Sequence, residues 1–145
     1  MLAADPENAH AWNARAWSYA QTGDLDKALA DAERAFALNS EDANIIHTRA
    51  WIYLAKGEPD LALADFDKAL SLDAALVGAY VDRGRAYELK GERDKAIADY
   101  RKALTLDSQQ SYDDEAKAAA QQYLTVLGVL DAGSGSAEVA RQPGP

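Results

Sequence analysis

His10 and His47 are the only imidazoles in the 145 residues, and no cysteine accompanies them. They lie far apart in the chain and neither has a glutamate at zinc-protease spacing, so no metal site is expected. Asp24 with Asp26, and Asp113 with Asp114 and Glu115, look like fragments of a calcium loop, but the remaining ligands of such a loop are missing. Helix starts explain them better, since negative charge at an amino end is favoured by the helix dipole. Ser134 and Ser136 sit in a Gly and Ser-rich stretch with no strand before them, which excludes a nucleophile elbow. With no phosphate loop and no dinucleotide glycine fingerprint either, the chain is expected to be no enzyme and to hold no cofactor. What remains is recognition chemistry. Trp17 and Trp51 offer indoles that can anchor an apolar or weakly charged segment; the alternative is that they are packing residues wedged between helices. Arg15, Arg49 and Arg83 recur in step with Asp31, Asp65 and Asp99, which predicts a ladder of structural ion pairs.

The elements that carry these residues follow from a period. Arg83, Tyr87, Gly91, Ala96, Asp99 and Ala103 return 34 residues upstream as Arg49, Tyr53, Gly57, Ala62, Asp65 and Ala69, and again as Arg15, Tyr19, Gly23, Ala28, Asp31 and Ala35. Such self-similarity is the signature of a repeat array. Within the first unit, Ala11, Trp12, Arg15, Ala16 and Tyr19 form one helical stripe, and Ala28, Leu29, Ala32, Ala35, Phe36 and Leu38 form another. The spacing predicts helices over about 9–22 and 25–38, with Gly23 in the left-handed position that ends the first. The alanines predict close, antiparallel helix pairs. Pro59 near the start of the fourth helix fits a first-turn position, where it removes no needed hydrogen bond.

The units therefore run 9–42, 43–76 and 77–110. Residues 1–8 read as the end of a preceding unit, with Leu2, Asp5, Pro6 and Asn8 in frame, which suggests a chain cut from a longer array. Residues 111–130 contain a seventh amphipathic helix, about 112–127, that can cover the open end of a solenoid. Residues 131–145 are rich in Gly, Ser and Pro and should be a flexible tail or an added linker.

Apolar residues make up 48% and charged residues 27%, ordinary for a globular domain. No apolar run is long enough to cross a membrane, so no membrane insertion is expected. The net charge of −9 is spread without a basic block, which disfavours nucleic acid. A cysteine-free chain fits the cytoplasm and the bacterial periplasm equally, so the compartment stays open.

The period, the two-helix unit and the residues at fixed phase resemble the tetratricopeptide repeat. Its large residue, small residue, Tyr, Gly, Ala, aromatic and Ala are matched by Trp12, Ala16, Tyr19, Gly23, Ala28, Ala32 and Ala35 in unit one, and by Ile46, Ala50, Tyr53, Gly57, Ala62, Phe66 and Ala69 in unit two. Unit three has Tyr80, Gly84, Tyr87, Gly91, Ala96, Tyr100 and Ala103. Departures are Ala32 in place of an aromatic, and Ser40, Ala74 and Ser108 in place of a closing proline. The resemblance implies an all-α, right-handed α-solenoid of three helix-turn-helix units with a seventh, capping helix, and a concave groove that binds a protein or peptide. The style of Asp94–Tyr100 is similar to many bacterial members.

Carried over residue by residue, the groove positions implied are His10, Asn13 and Trp17; Asn44, His47 and Trp51; and Val81, Arg85 and Glu88. One subgroup of the family clamps the terminal carboxylate of chaperone tails with lysines, asparagines and an arginine. The corresponding places here hold Asn13, Trp17, Thr48, Gly78 and Asp82, none of which matches. The expected function is therefore a peptide- or helix-binding module without that clamp. The alternative is a structural self-assembly unit, a homo-oligomer joined through an exposed repeat edge or the tail.

Overall fold

The computed structural model describes residues 5–129. Among them are seven α-helices and no strand: α1 Ala9–Gln21, α2 Leu25–Leu38, α3 Ala43–Ala55, α4 Pro59–Leu72, α5 Val77–Leu89, α6 Arg93–Thr105 and α7 Asp113–Val126. Leu2 and the 131–145 stretch, expected to be a repeat remnant and a tail, lie outside the described residues.

Each helix begins and ends where local chemistry dictates. Asn8, Asp24 and Asp42 cap α1, α2 and α3 by accepting from Ala11 N–H, Lys27 N–H and Ile45 N–H. Pro59 occupies the first turn of α4, as its fixed φ suits. At the other end of α1, Gly23 adopts φ +87°, Gly23 N–H donates to the Ala20 carbonyl and Asp24 N–H to the Tyr19 carbonyl. This is the Schellman arrangement, in which a left-handed residue lets the chain fold back on the last carbonyls. α3, α5 and α7 end the same way at Gly57, Gly91 and Gly128. Gly128 had no periodic partner to mark it, because α7 is displaced from the repeat frame by the longer link before it.

Consecutive helices pack as antiparallel pairs, α1 with α2, α3 with α4 and α5 with α6; α2 on α3 and α4 on α5 join the pairs. The array is a right-handed solenoid. α1, α3 and α5 also touch in sequence, which makes them the inner wall, and α7 packs on both α5 and α6. The main core runs through units two and three into the last helix, with Phe66, Tyr100, Ile46, Val77 and Leu124 fully buried. A smaller cluster of Ala16, Ala20, Ala28, Ala32 and Ile52 closes unit one. Close approach depends on small residues: a Cβ on Gly84 would lie 2.5 Å from a Tyr100 ring carbon.

The expected ion-pair ladder is present in all three units. Arg15 Nε and Nη2 donate to Asp31 at 2.6 and 2.9 Å, Arg49 to Asp65 at 2.7 and 2.9 Å, and Arg83 to Asp99 at 2.8 and 2.7 Å. The aspartates are buried, so these bidentate forks satisfy carboxylates that would otherwise be costly. Arg83 also donates to Asp67 at 2.9 Å and thereby ties unit three to unit two. Lys56 with Asp26 at 2.6 Å and Lys90 with Asp60 at 2.7 Å repeat a second tie between adjacent units.

Candidate functional site

The inner wall encloses a cleft of about 670 Å³. Asn13, Ala14, Trp17 and Gln21 line it from α1, Asn44, His47 and Thr48 from α3, and Gly78 and Asp82 from α5. Tyr112, just ahead of α7, and Glu115, in its first turn, complete the lining. They are brought there by the link after α6, which buried Asp113 shapes by accepting from Gln109 N–H at 2.7 Å and Gln110 N–H at 3.0 Å.

Helical spacing explains the lining. Asn13, Trp17 and Gln21 are successive i, i+4 neighbours on one face of α1, as are Asn44 and Thr48 on α3 and Gly78 and Asp82 on α5. Thr48 turns its hydroxyl back onto the Asn44 carbonyl at 3.0 Å. His47 Nε2 lies 2.9 Å from Asp82 Oδ2 and bridges α3 to α5. Gly78 makes that bridge fit, since a Cβ there would stand 3.2 Å from the imidazole Cε1. Asn13 Oδ1 is buried and has no hydrogen-bond partner. Burial, reinforced by the charge of Asp113, holds the Tyr112 phenol above its ordinary range, so this hydroxyl stays neutral. The lining carries two carboxylates and neither lysine nor arginine.

The tryptophans divide the roles weighed for them. Trp17 is 43% exposed and faces the cleft. Trp51 stands edge-to-face against it, centroids 5.3 Å apart, but is half-buried on the alanine cluster of unit one. That cluster contains Ala32, where the other units place Phe66 and Tyr100, so the Trp51 indole supplies bulk beside a position that lacks its aromatic.

Of the nine residues implied by sequence, Asn13, Trp17, Asn44 and His47 come together around the cleft, whereas His10, Trp51, Val81, Arg85 and Glu88 do not line it. His10 is exposed, its Nε2 3.7 Å from Asp42. Val81 is only 4% exposed, within the same core as Ala120 and Leu124 of α7. The Arg85 guanidinium lies 5.9 Å from the Tyr123 ring of α7, and Glu88 accepts the Tyr100 hydroxyl. α7 has taken that face of α5, so α5 presents Gly78 and Asp82 instead. The 34-residue image of His10 and Asn44 is Gly78, which could have located this face; Tyr112 and Glu115 belong to no repeat and left no periodic signal. Among the described residues, no group of three or more His, Cys, Asp or Glu is arranged to hold a metal ion.

Three models described as tetratricopeptide repeat match residues 9–42, 43–76 and 77–110. No curated protein sequence matches the chain. Among solved structures, the Arabidopsis OM64 TPR domain is 26% identical with a TM-score of 0.66, over 79% of this chain and 95% of that one. A MamA protein is 29% identical with a TM-score of 0.64, over 81% of this chain and 60% of that one. The second TPR of Spaghetti (RPAP3), bound to the HSP90 peptide SRMEEVD, shares the fold at 24% identity and a TM-score of 0.66, over 74% of this chain and 100% of that one.

Proposed function

The chain belongs to the tetratricopeptide-repeat family, and from that premise we propose that it is a non-enzymatic interaction module whose cleft receives a peptide or helix of a partner protein. The observation that carries this reading is an indole left 43% exposed on the wall of a 670 Å³ cleft whose other walls are rigid helix faces. Exposed aromatics in a preformed groove bind well because little conformational freedom is lost there on association. Relatives of this fold bind peptides, as the RPAP3 complex does.

The chain's own ligand is not an acidic terminal tail held by a carboxylate clamp. The clamp places Asn13, Trp17, Thr48, Gly78 and Asp82 all line the cleft, and none supplies a cation. Nucleic acid is equally unsuited to a lining that carries two carboxylates and neither lysine nor arginine.

The test is selection of binders from a displayed library of random twelve-residue peptides, followed by binding measurements on Trp17→Ala. That variant is expected to lose at least about 2 kcal/mol of binding with an unchanged melting temperature. Trp51→Ala, by contrast, should lower the melting temperature, because its indole packs on the unit-one core. Peptides indifferent to both substitutions would rule out the cleft.

One observation favours self-assembly as a second reading. The Arg15 side chain is 45% exposed while Arg49 and Arg83 are 16% and 20% exposed, so the unit-one edge presents what later units cover with a neighbour. Light scattering across concentration decides it: a mass that stays monomeric discards this reading.

A further inference from the structure

We propose that the cleft selects a segment presenting an arginine or lysine side chain, received between Asp82 and Glu115 with the rings of Trp17 and Tyr112 beside it. This rests on the peptide-binding reading above and names the chemistry of the partner.

Three features of the lining converge on a cation. First, its lining carries two carboxylates and no lysine or arginine, and the one cation near either is Arg85, outside the lining and 3.9 Å from Asp82. Second, both retain capacity to accept. Asp82 receives His47 on Oδ2, while its Oδ1 is 3.9 Å from Arg85, beyond hydrogen-bond range. Glu115 is exposed and has no ion-pair partner among the described residues. Third, Trp17 and Tyr112 are 43% and 46% exposed, and aromatic faces attract ammonium and guanidinium groups.

The alternatives fit worse for physical reasons. An acidic segment would bring its charge against two like charges. A wholly apolar segment would strip water from Asp82 and Glu115 and return nothing to them.

The same random-peptide selection tests this on the whole chain. Sequences enriched on the wild type should carry arginine or lysine. Replacing that residue by glutamine in the best synthetic peptide should weaken binding about ten-fold or more, and added salt should weaken it further. Asp82→Asn with Glu115→Gln should cause a comparable loss; the asparagine oxygen can still accept from His47, and a melting curve confirms the fold. Should the double variant unfold, the exposed Glu115→Gln alone is read, with a loss of about three-fold or more expected. Peptides that require Trp17 but are neutral or acidic, and that bind the charge variants undiminished, would overturn the cation inference while leaving peptide binding intact. Absence of any Trp17-dependent peptide would overturn both.

Discussion

Gly84 and Tyr100 show how a single position sets the spacing between two helices. Glycine normally weakens a helix interior by roughly 1 kcal/mol relative to alanine, so propensity alone says that Gly84→Ala should stabilise α5. Here an added Cβ would come within 2.5 Å of one Tyr100 ring carbon and 2.9 Å of another, on a side chain with no exposed surface to move into. Overpacking wins: Gly84→Ala should cost about 1–3 kcal/mol in urea unfolding, and a gain in stability would contradict the packing described. Tyr100 also carries a titration. Its hydroxyl donates to Glu88, and burial first, then that bond and the Glu88 charge, raise its pKa above the ordinary tyrosine value. A raised folded pKa gives stability that is complete below the unfolded value of about 10 and is lost as pH climbs past it. Tyr100→Phe should therefore flatten the fall in stability above that pH while costing about 1–2 kcal/mol at neutrality. An unaltered alkaline limb in the variant would sink this assignment.

The Arg–Asp fork joins the two helices of every unit, and its worth depends on what covers it. Arg49 lies 3.8 Å over the Phe36 ring while both of its terminal contacts reach Asp65, which is 7% exposed. The side-chain bond to Asp65 outweighs desolvation and raises the guanidinium pKa. Lysine cannot reproduce the fork or the stacking, so Arg49→Lys should cost about 1–2 kcal/mol. Arg15→Lys should cost less, because its fork is open to water and screened. Equal losses at the two sites, measured by denaturant midpoint, would show that covering by the preceding unit does not matter.

The whole solenoid is stabilised by contacts between neighbours, so its ends decide cooperativity. At one end α7 buries Ala120 and Leu124 and lays Tyr123 against Tyr100, centroids 5.2 Å apart. Arg93 fastens it further by donating to the Leu127 carbonyl. Ending the chain after Gln110 should lower stability by at least about 3 kcal/mol, from the exposed apolar surface alone. It should also remove Tyr112 and Glu115 from the cleft, so peptide binding should fall with it. A truncated chain that melts and binds as the full one does would show α7 to be dispensable on both counts.

The sequence by itself determined the helices, their pairing and the ladder. A 34-residue period fixes which residues share a phase, and a stripe recurring with helical spacing fixes which face is apolar. Asp31, Asp65 and Asp99 could be matched to their arginines for that reason. The tertiary structure alone decided which residues on that inner wall meet a ligand. Phase within a helix says nothing of what packs against its flank: α7, which has no periodic copy, covers Val81 and draws in Arg85, while Gly78 and Asp82 face the cleft. In the same way Trp51 was legible as an aromatic in step with Trp17. Only the structure showed that it packs on the alanine cluster of unit one, where small residues leave volume that a close-packed interior fills.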